Sequence, residues 1–380
     1  MPANKVSMAQ LVSLATTAAD VLEQLRLKFA KPHPLKVAPR FATTYVAELC
    51  KLDKKQMRYL IDRHNLPPGT KVEGSKAKEF TLLETIQWAR ALGDFPTRPE
   101  GKSGKVFCVC NYKGGVAKTT TTVGLGQALT LRAQKVLIVD LDGQATATQL
   151  CGLSPEQHVQ PHDTIMPLIA GDQPDLRYAV QPTYWDNLSL IPASSALLGA
   201  EFSLPAKAIS DRDFRFWEVL RKGLEPLLEE YDVILLDTSP SLSHLVISAM
   251  FAADGLLMPC PPESLDFASS VQFWGIFSEL MRTLPDADSK AFDFVSIVYT
   301  KVQSSDISRL TKSWMKEAYG GYINGIEIPD SAAARLASAQ LKTIYDTPKP
   351  EGSAEAHRRY KEPSDRLADF AIEQLELGWS

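Results

Sequence analysis

Residues 106–129 read VFCVCNYKGGVAKTTTTVGLGQAL. An apolar run, a glycine-bearing turn and a helix-forming tail follow one another without a gap. That is the layout of a buried strand, a phosphate-cradling loop and the helix behind it. In such a loop, successive backbone N–H groups and the helix N-terminus face an anion. Lys118 is placed to reach terminal phosphates, and Thr119 to offer its hydroxyl to Mg²⁺. The glycines of the ordinary G-x-x-x-x-G-K-[ST] pattern are missing, with Tyr112 and Ala117 in their places.

Further short apolar runs occur at KVLIVDLD, NLSLIPA, YDVILLDTS, GLLMPC and FVSIVYT, most of them separated by helical segments. Continuous apolar strands joined by helices predict an α/β fold, a P-loop NTPase whose mostly parallel sheet is flanked by helices. Asp237 ends one of these strands, where a carboxylate can hold Mg²⁺ through water. Asp140 and Asp142 end another, Asp140 in a structural role.

The loop fits the variant pattern K-G-G-x-x-K-[ST], and in this it resembles the deviant Walker A motif of the ParA/MinD superfamily. The resemblance covers residues 105–380. It implies that ATP or ADP binds along Lys113, Gly114, Gly115, Val116, Ala117, Lys118, Thr119 and Thr120, with Thr300 and Pro329 near the adenine. Thr119 and Asp237 would hold Mg²⁺. Lys113, Lys118 and Asp142 would be catalytic, Lys113 crossing a homodimer interface to the other subunit's phosphates. Asp140-Leu141-Asp142-Gly143-Gln144 is similar to the family's D-x-D-P-Q switch, and Thr238-Ser239-Pro240-Ser241 to its D-T-P-P-S switch. Ala117, Gly143 and Ser239 are departures. The family also implies slow hydrolysis stimulated by a ParB-type partner, and binding of non-specific DNA. Arg335 and Lys342, with Lys301, Arg309 and Lys312, are candidates for that DNA contact.

The front of the chain differs in charge. Net charge is −4 overall, yet residues 1–105 hold 18 Lys/Arg against 10 Asp/Glu. Such asymmetry points to a basic nucleic-acid-binding module on an acidic body. Leu11, Leu14, Val21, Leu25 and Phe29 form a helical stripe within residues 1–35, a candidate for dimerisation, and KPHPLKVAPR reads as a linker. Residues 36–100 have the layout of a winged helix-turn-helix domain, with Lys54, Lys55, Gln56, Arg58 and Arg63 on its second helix. Lys76 and Lys78, beside Lys71, sit in a hairpin-like wing that would reach phosphates. TRPEGKSGK reads as a second linker. In layout this front resembles the extension of the long, type Ia family members, which bind operator DNA and repress their own operon.

Other readings are narrower. No apolar run of bilayer length occurs, and the first ten residues lack a signal-peptide layout. The expectation is therefore a cytoplasmic, nucleoid-associated protein with no membrane partner. The final SDRLADFAIEQLELGWS is acidic, unlike the basic membrane helix of MinD-like proteins. Cys50, Cys108, Cys110, Cys151 and Cys260 have no metal spacing and read as reduced core thiols, while His158 and His162 read as loop residues. The rival function is a nucleotide-sensing transcriptional repressor with little ATPase activity.

Overall fold

A computed structural model describes residues 6–29, 36–285 and 287–380. The chain divides into two compact units at residue 36. The first contains helix α1 (Met8–Phe29), on which Leu11, Leu14 and Val21 are exposed. The side chains of Leu25 and Phe29, and the first half of the proline-rich stretch, lie outside the described residues.

The second unit opens with β1 (Phe41–Ala42), α2 (Thr43–Leu49), α3 (Lys54–His64), β2 (Thr70–Lys71), β3 (Lys78–Phe80) and α4 (Leu82–Leu92). The three strands pair antiparallel in the order β1-β3-β2. Asp53 starts α3 with a reciprocal cap: its Oδ1 accepts from the backbone N–H of Lys55 and Gln56, and Gln56 Oε1 accepts from Asp53 N. Such a cap stabilises a helix start by about 1 kcal/mol. Phe41, Val46, Met57, Phe80, Ile86 and Trp88 close a small core beneath these elements, and Trp88 Nε1 donates to Pro67 O.

Among the described residues, eight strands form the main sheet: β4 (Lys105–Val109), β5 (Val136–Leu141), β6 (Gln181–Pro182), β7 (Leu188–Ile191), β8 (Val233–Thr238), β9 (Gly255–Cys260), β10 (Phe294–Val302) and β11 (Ile323–Pro329). Their order is β11-β10-β9-β4-β8-β5-β7-β6, parallel throughout except for the β6–β7 pair. The mostly parallel sheet expected from the sequence is therefore present. β6 and β11 were not foreseen, being a two-residue edge and a run broken by Asn324, Gly325 and Glu327.

Alternation along β4 explains how both faces are buried. Val106, Cys108 and Cys110 join one apolar cluster, and Phe107 and Val109 the other. The first cluster is covered by α8 (Met166–Ala170), α9 (Ala200–Ser210), α10 (Val219–Leu224), α11 (His244–Ala252), α12 (Ser264–Met281) and α13 (Asp306–Tyr319). Across the sheet lie α5 (Lys118–Leu131), α6 (Thr146–Leu150), α14 (Ala332–Ala339), α15 (Ala354–Trp379) and the front module. Cysteines 50, 108, 110, 151 and 260 are all free and buried. His158 does not lie in a loop: it ends a short helix, α7 (Pro155–His158), while His162 sits in a 3₁₀ turn beyond Pro161.

The segment read as a second linker is pinned down. Arg98 donates to the carbonyls of Leu228 and Glu229 and pairs with Asp232 at 3.2 Å. Higher up, Lys361 of α15 lies over the rings of Tyr45 and Tyr345, and Lys349 pairs with Glu79 of β3. Among the described residues, no helix is long and apolar enough to cross a membrane.

Candidate nucleotide site

The register places Val109 of β4 and Asp140 of β5 both opposite Asp237 of β8, so three parallel strands end together where the strand order reverses. Crevices at such a point are the usual ligand sites of open α/β sheets. The loop after β4 is anchored at its start by Asn111, whose Nδ2 donates to Pro259 O and whose Oδ1 accepts from Lys113 N. Gly115 has φ +77°, a conformation that glycine adopts freely. Ala117 also has positive φ, at 72°. A side chain there costs about 1–2 kcal/mol, which gives the physical reason why glycine is common at this place. Val116 is buried, and Thr300 Oγ1 donates to its carbonyl at 3.0 Å. Thr300 thus buttresses the loop with its hydroxyl.

Lys118 opens α5, with Nζ donating to Lys113 O at 3.0 Å. Burial lowers its ammonium pKa, opposed mainly by the charge of Asp237. Asp140 is fully buried and accepts from Asp142 N, Thr148 N and Thr148 Oγ1, with burial raising its carboxyl to about 6. This is a structural role, since it fixes the backbone of the Asp142 loop. Asp142 in turn accepts from Gln144 N at 2.9 Å.

Asp237 is also fully buried. Its Oδ1 accepts from Thr122 Oγ1 at 2.9 Å, whereas Oδ2 has no partner. Burial, followed by the neighbouring Asp140 charge, pushes its carboxyl up to about 8 against the hydroxyls of Thr119 and Thr122 and the charge of Lys118. A bare buried carboxylate oxygen is costly and calls for a cation or a water. Among the described residues no group of three or more His, Cys, Asp or Glu could hold a metal. The free Asp237 oxygen and the Thr119 hydroxyl fit Mg²⁺, which takes one or two protein oxygens and completes its shell with phosphates and water.

A cavity of about 430 Å³ opens over the loop. Gly114, Gly115, Ala117, Lys118, Thr119, Thr120 and Asp142 line it, together with Thr300, Pro329, Arg335, Ser338 and Tyr360. Val116 and Asp237 do not line the cavity, but the hydroxyl of Thr119, which does, lies beside the Asp237 carboxyl. Lys113 is off the wall too, with Nζ 2.8 Å from Asp266 Oδ2 at the start of α12.

The basic candidates separate by environment. Lys55, Gln56, Arg58 and Arg63 are exposed on α3, although the Gln56 carbonyl is taken by the cap of Asp53. Lys54 opens α3, and its side chain lies outside what the structure describes. Arg63 stacks on exposed Tyr59. Lys76 is exposed in the hairpin, while Lys78 donates to Pro68 O. Arg335 pairs with Asp330, Lys342 with Glu351, Lys312 with Glu327 and Arg309 with Asp306. Asn111, Thr122, Thr148 and Asp266 were missed from sequence because each acts on a group set by the fold. Two carried a local sign: Asn111 lies two residues before Lys113, from whose N–H it accepts, and Thr122 sits one turn beyond Lys118.

Comparison with known proteins agrees with this geometry. A family model described as an AAA domain matches residues 104–287. SopA of Escherichia coli K12 is 29% identical over 327 residues, covering 83% of this chain and 82% of SopA. The chromosome partitioning protein ParA of Myxococcus xanthus is 36% identical over 156 residues, covering 41% of this chain and 52% of that protein. A solved structure named Partition Protein shares the fold over 97% of this chain and 98% of its own, with TM-score 0.67 and 19% identity. With Lys118 and Asp142 on the cavity wall and Lys113, Asp140 and Asp237 close to it, the chain is similar to ParA-type partition proteins over most of its length.

Proposed function

We propose that this is an ATP-dependent partition ATPase that segregates a plasmid or chromosome by nucleotide-gated binding to DNA. The observation that carries the reading is the convergence of Lys118, Thr119 and Asp142 on one cavity, with the bare Asp237 carboxyl oxygen beside Thr119. Lys118 and the loop N–H groups would hold the terminal phosphates. Thr119 and, through water, Asp237 would hold Mg²⁺, which when bound neutralises phosphate charge. Asp142 would orient the attacking water once it releases Gln144 N. Phosphoryl transfer of this kind is mostly positioning and charge stabilisation.

Lys113 would leave Asp266 and reach the phosphates of a second copy, closing an ATP-sandwich homodimer. That dimer would bind non-specific DNA in the nucleoid of the cytoplasm, through residues such as Arg335 and Lys342. Hydrolysis would be slow until a ParB-type centromere-binding partner stimulates it. The front module would hold operator DNA through Lys54, Lys55, Gln56, Arg58 and Arg63, with Lys76 and Lys78 on phosphates, and so repress its own operon. The exposed stripe of α1 would add a second dimer contact.

The test is binding to long non-operator DNA with ATP, with ADP and with neither, for wild type and Lys118→Ala, over a salt series. Binding that needs ATP, is lost in the variant and weakens steeply with salt is the expected result. Equal binding in all three states contradicts the partition cycle and favours the repressor reading.

A further inference from the structure

Thr122 lies one turn beyond Lys118 on α5 and is fully buried. Its Oγ1 is 2.9 Å from Asp237 Oδ1 and 3.0 Å from Lys118 O. A hydroxyl has a single proton to donate, and Asp237, in the ionised form that a cation requires, is the stronger acceptor. The backbone carbonyl alone would be an ordinary side-chain contact to the preceding turn. The bond to Asp237 is different in kind, because it joins the phosphate-loop helix to a carboxylate 115 residues further along the chain.

The two oxygens of Asp237 are unequal. Oδ1 is satisfied by Thr122, and Oδ2 has no partner although it is buried. A carboxylate with neither oxygen held could rotate and present either one. With Oδ1 held, one oxygen alone is left for a cation shell, and Thr119, three residues before Thr122 on the same helix, is on the cavity wall.

We infer that Thr122 is a positioning residue for the Mg²⁺ site: its hydroxyl fixes the Asp237 carboxylate so that the free oxygen is presented to the metal's water shell beside Thr119. This rests on the nucleotide-site reading given above. Groups that orient metal-holding residues in this way set metal affinity without touching the metal. Thr122 does not itself line the cavity, and its one lining contact is to the backbone of Lys118, so the effect should fall on the metal and spare the base and the phosphates.

The test uses Mn²⁺ as the probe, titrated by electron paramagnetic resonance into the full chain saturated with ADP. Thr122→Val keeps the shape and removes the donor; Thr122→Ala removes the same donor with less crowding if the valine variant fails to fold. Thr122→Ser restores it. The expected result is Mn²⁺ affinity lower by roughly tenfold or more in the valine or alanine variant, wild-type affinity in the serine variant, and ADP affinity without metal unchanged in all. Unchanged Mn²⁺ affinity in a folded valine or alanine variant overturns the inference and leaves Thr122 as core packing. Failure of wild type to bind ADP or Mn²⁺ would overturn the nucleotide-site reading itself, and this inference with it.

Discussion

Lys113 Nζ and Asp266 Oδ2 lie 2.8 Å apart, joining the phosphate loop to the start of α12. The lysine that the family resemblance assigns to the partner's phosphates is held within its own chain. The side chains are 35% and 12% exposed, so the pair is partly screened, and its worth is about 1 kcal/mol. Closing a dimer through Lys113 has to break it. Asp266→Asn should therefore shift ATP-dependent dimerisation to ATP concentrations lower by roughly fivefold, the equivalent of that energy. Sedimentation velocity across an ATP series reads this directly, and dimerisation unchanged or weakened would contradict the latch.

The Asp237 carboxyl, pushed up to about 8, gives a pH dependence with a definite sign. At pH 7 it is largely protonated without metal, and Mg²⁺ requires the carboxylate. Binding of ADP with Mg²⁺ should release a proton, and affinity should rise with pH up to about 8 and then level. Calorimetry at pH 7 in two buffers of different ionisation enthalpy measures the released proton. No difference between the buffers would show that the carboxylate is already charged.

Arg132, at the far end of α5, is buried and donates to Ala128 O, Asp365 O and Asp369. Arg132→Met removes charge-assisted bonds between α5 and α15 and leaves the Asp365 carbonyl without that donor. The expected cost is about 2–3 kcal/mol, read as a lower urea midpoint with unchanged slope. A midpoint within error of wild type would mean that water replaces the guanidinium.

Arg58 is exposed on α3 and makes no ion pair or hydrogen bond through its side chain among the described residues. Arg58→Ala should weaken operator binding and leave ATP turnover unchanged. If it meets a phosphate, the salt slope of binding should fall by about one. If it reads a base, discrimination should fall by about 1–3 kcal/mol at one position. Unaltered operator affinity would remove α3 from the DNA interface.

Features set by neighbouring residues were legible in the sequence. The loop Lys113–Thr120 is contiguous, and Asp140 and Asp237 end apolar runs that could only be buried strands. The turn between α2 and α3 was readable because Asp53 and Gln56 make their cap within four residues. What escaped notice depends on distant approach. The Lys113–Asp266 pair spans 153 residues, and nothing near Ser264–Phe267 announces a lysine. The edge strands β6 and β11 were illegible because one face of each is wet, so neither gives a continuous apolar run. The pairing of Arg335 with Asp330 at the cavity was equally invisible, since sequence shows the charge and not its partner.

On the proposed sandwich mechanism, Lys113 acts in the other subunit's site. This is tested most directly by mixing Lys113→Ala with Asp142→Ala, each inactive alone, and measuring ATP hydrolysis. In a mixed dimer, the site on the Lys113→Ala chain keeps its own Asp142 and receives Lys113 from its partner. Activity should therefore appear on mixing and grow with the fraction of mixed dimer. A mixture no more active than the two variants apart, with mixed dimers present, would place Lys113 in its own site and contradict the sandwich mechanism.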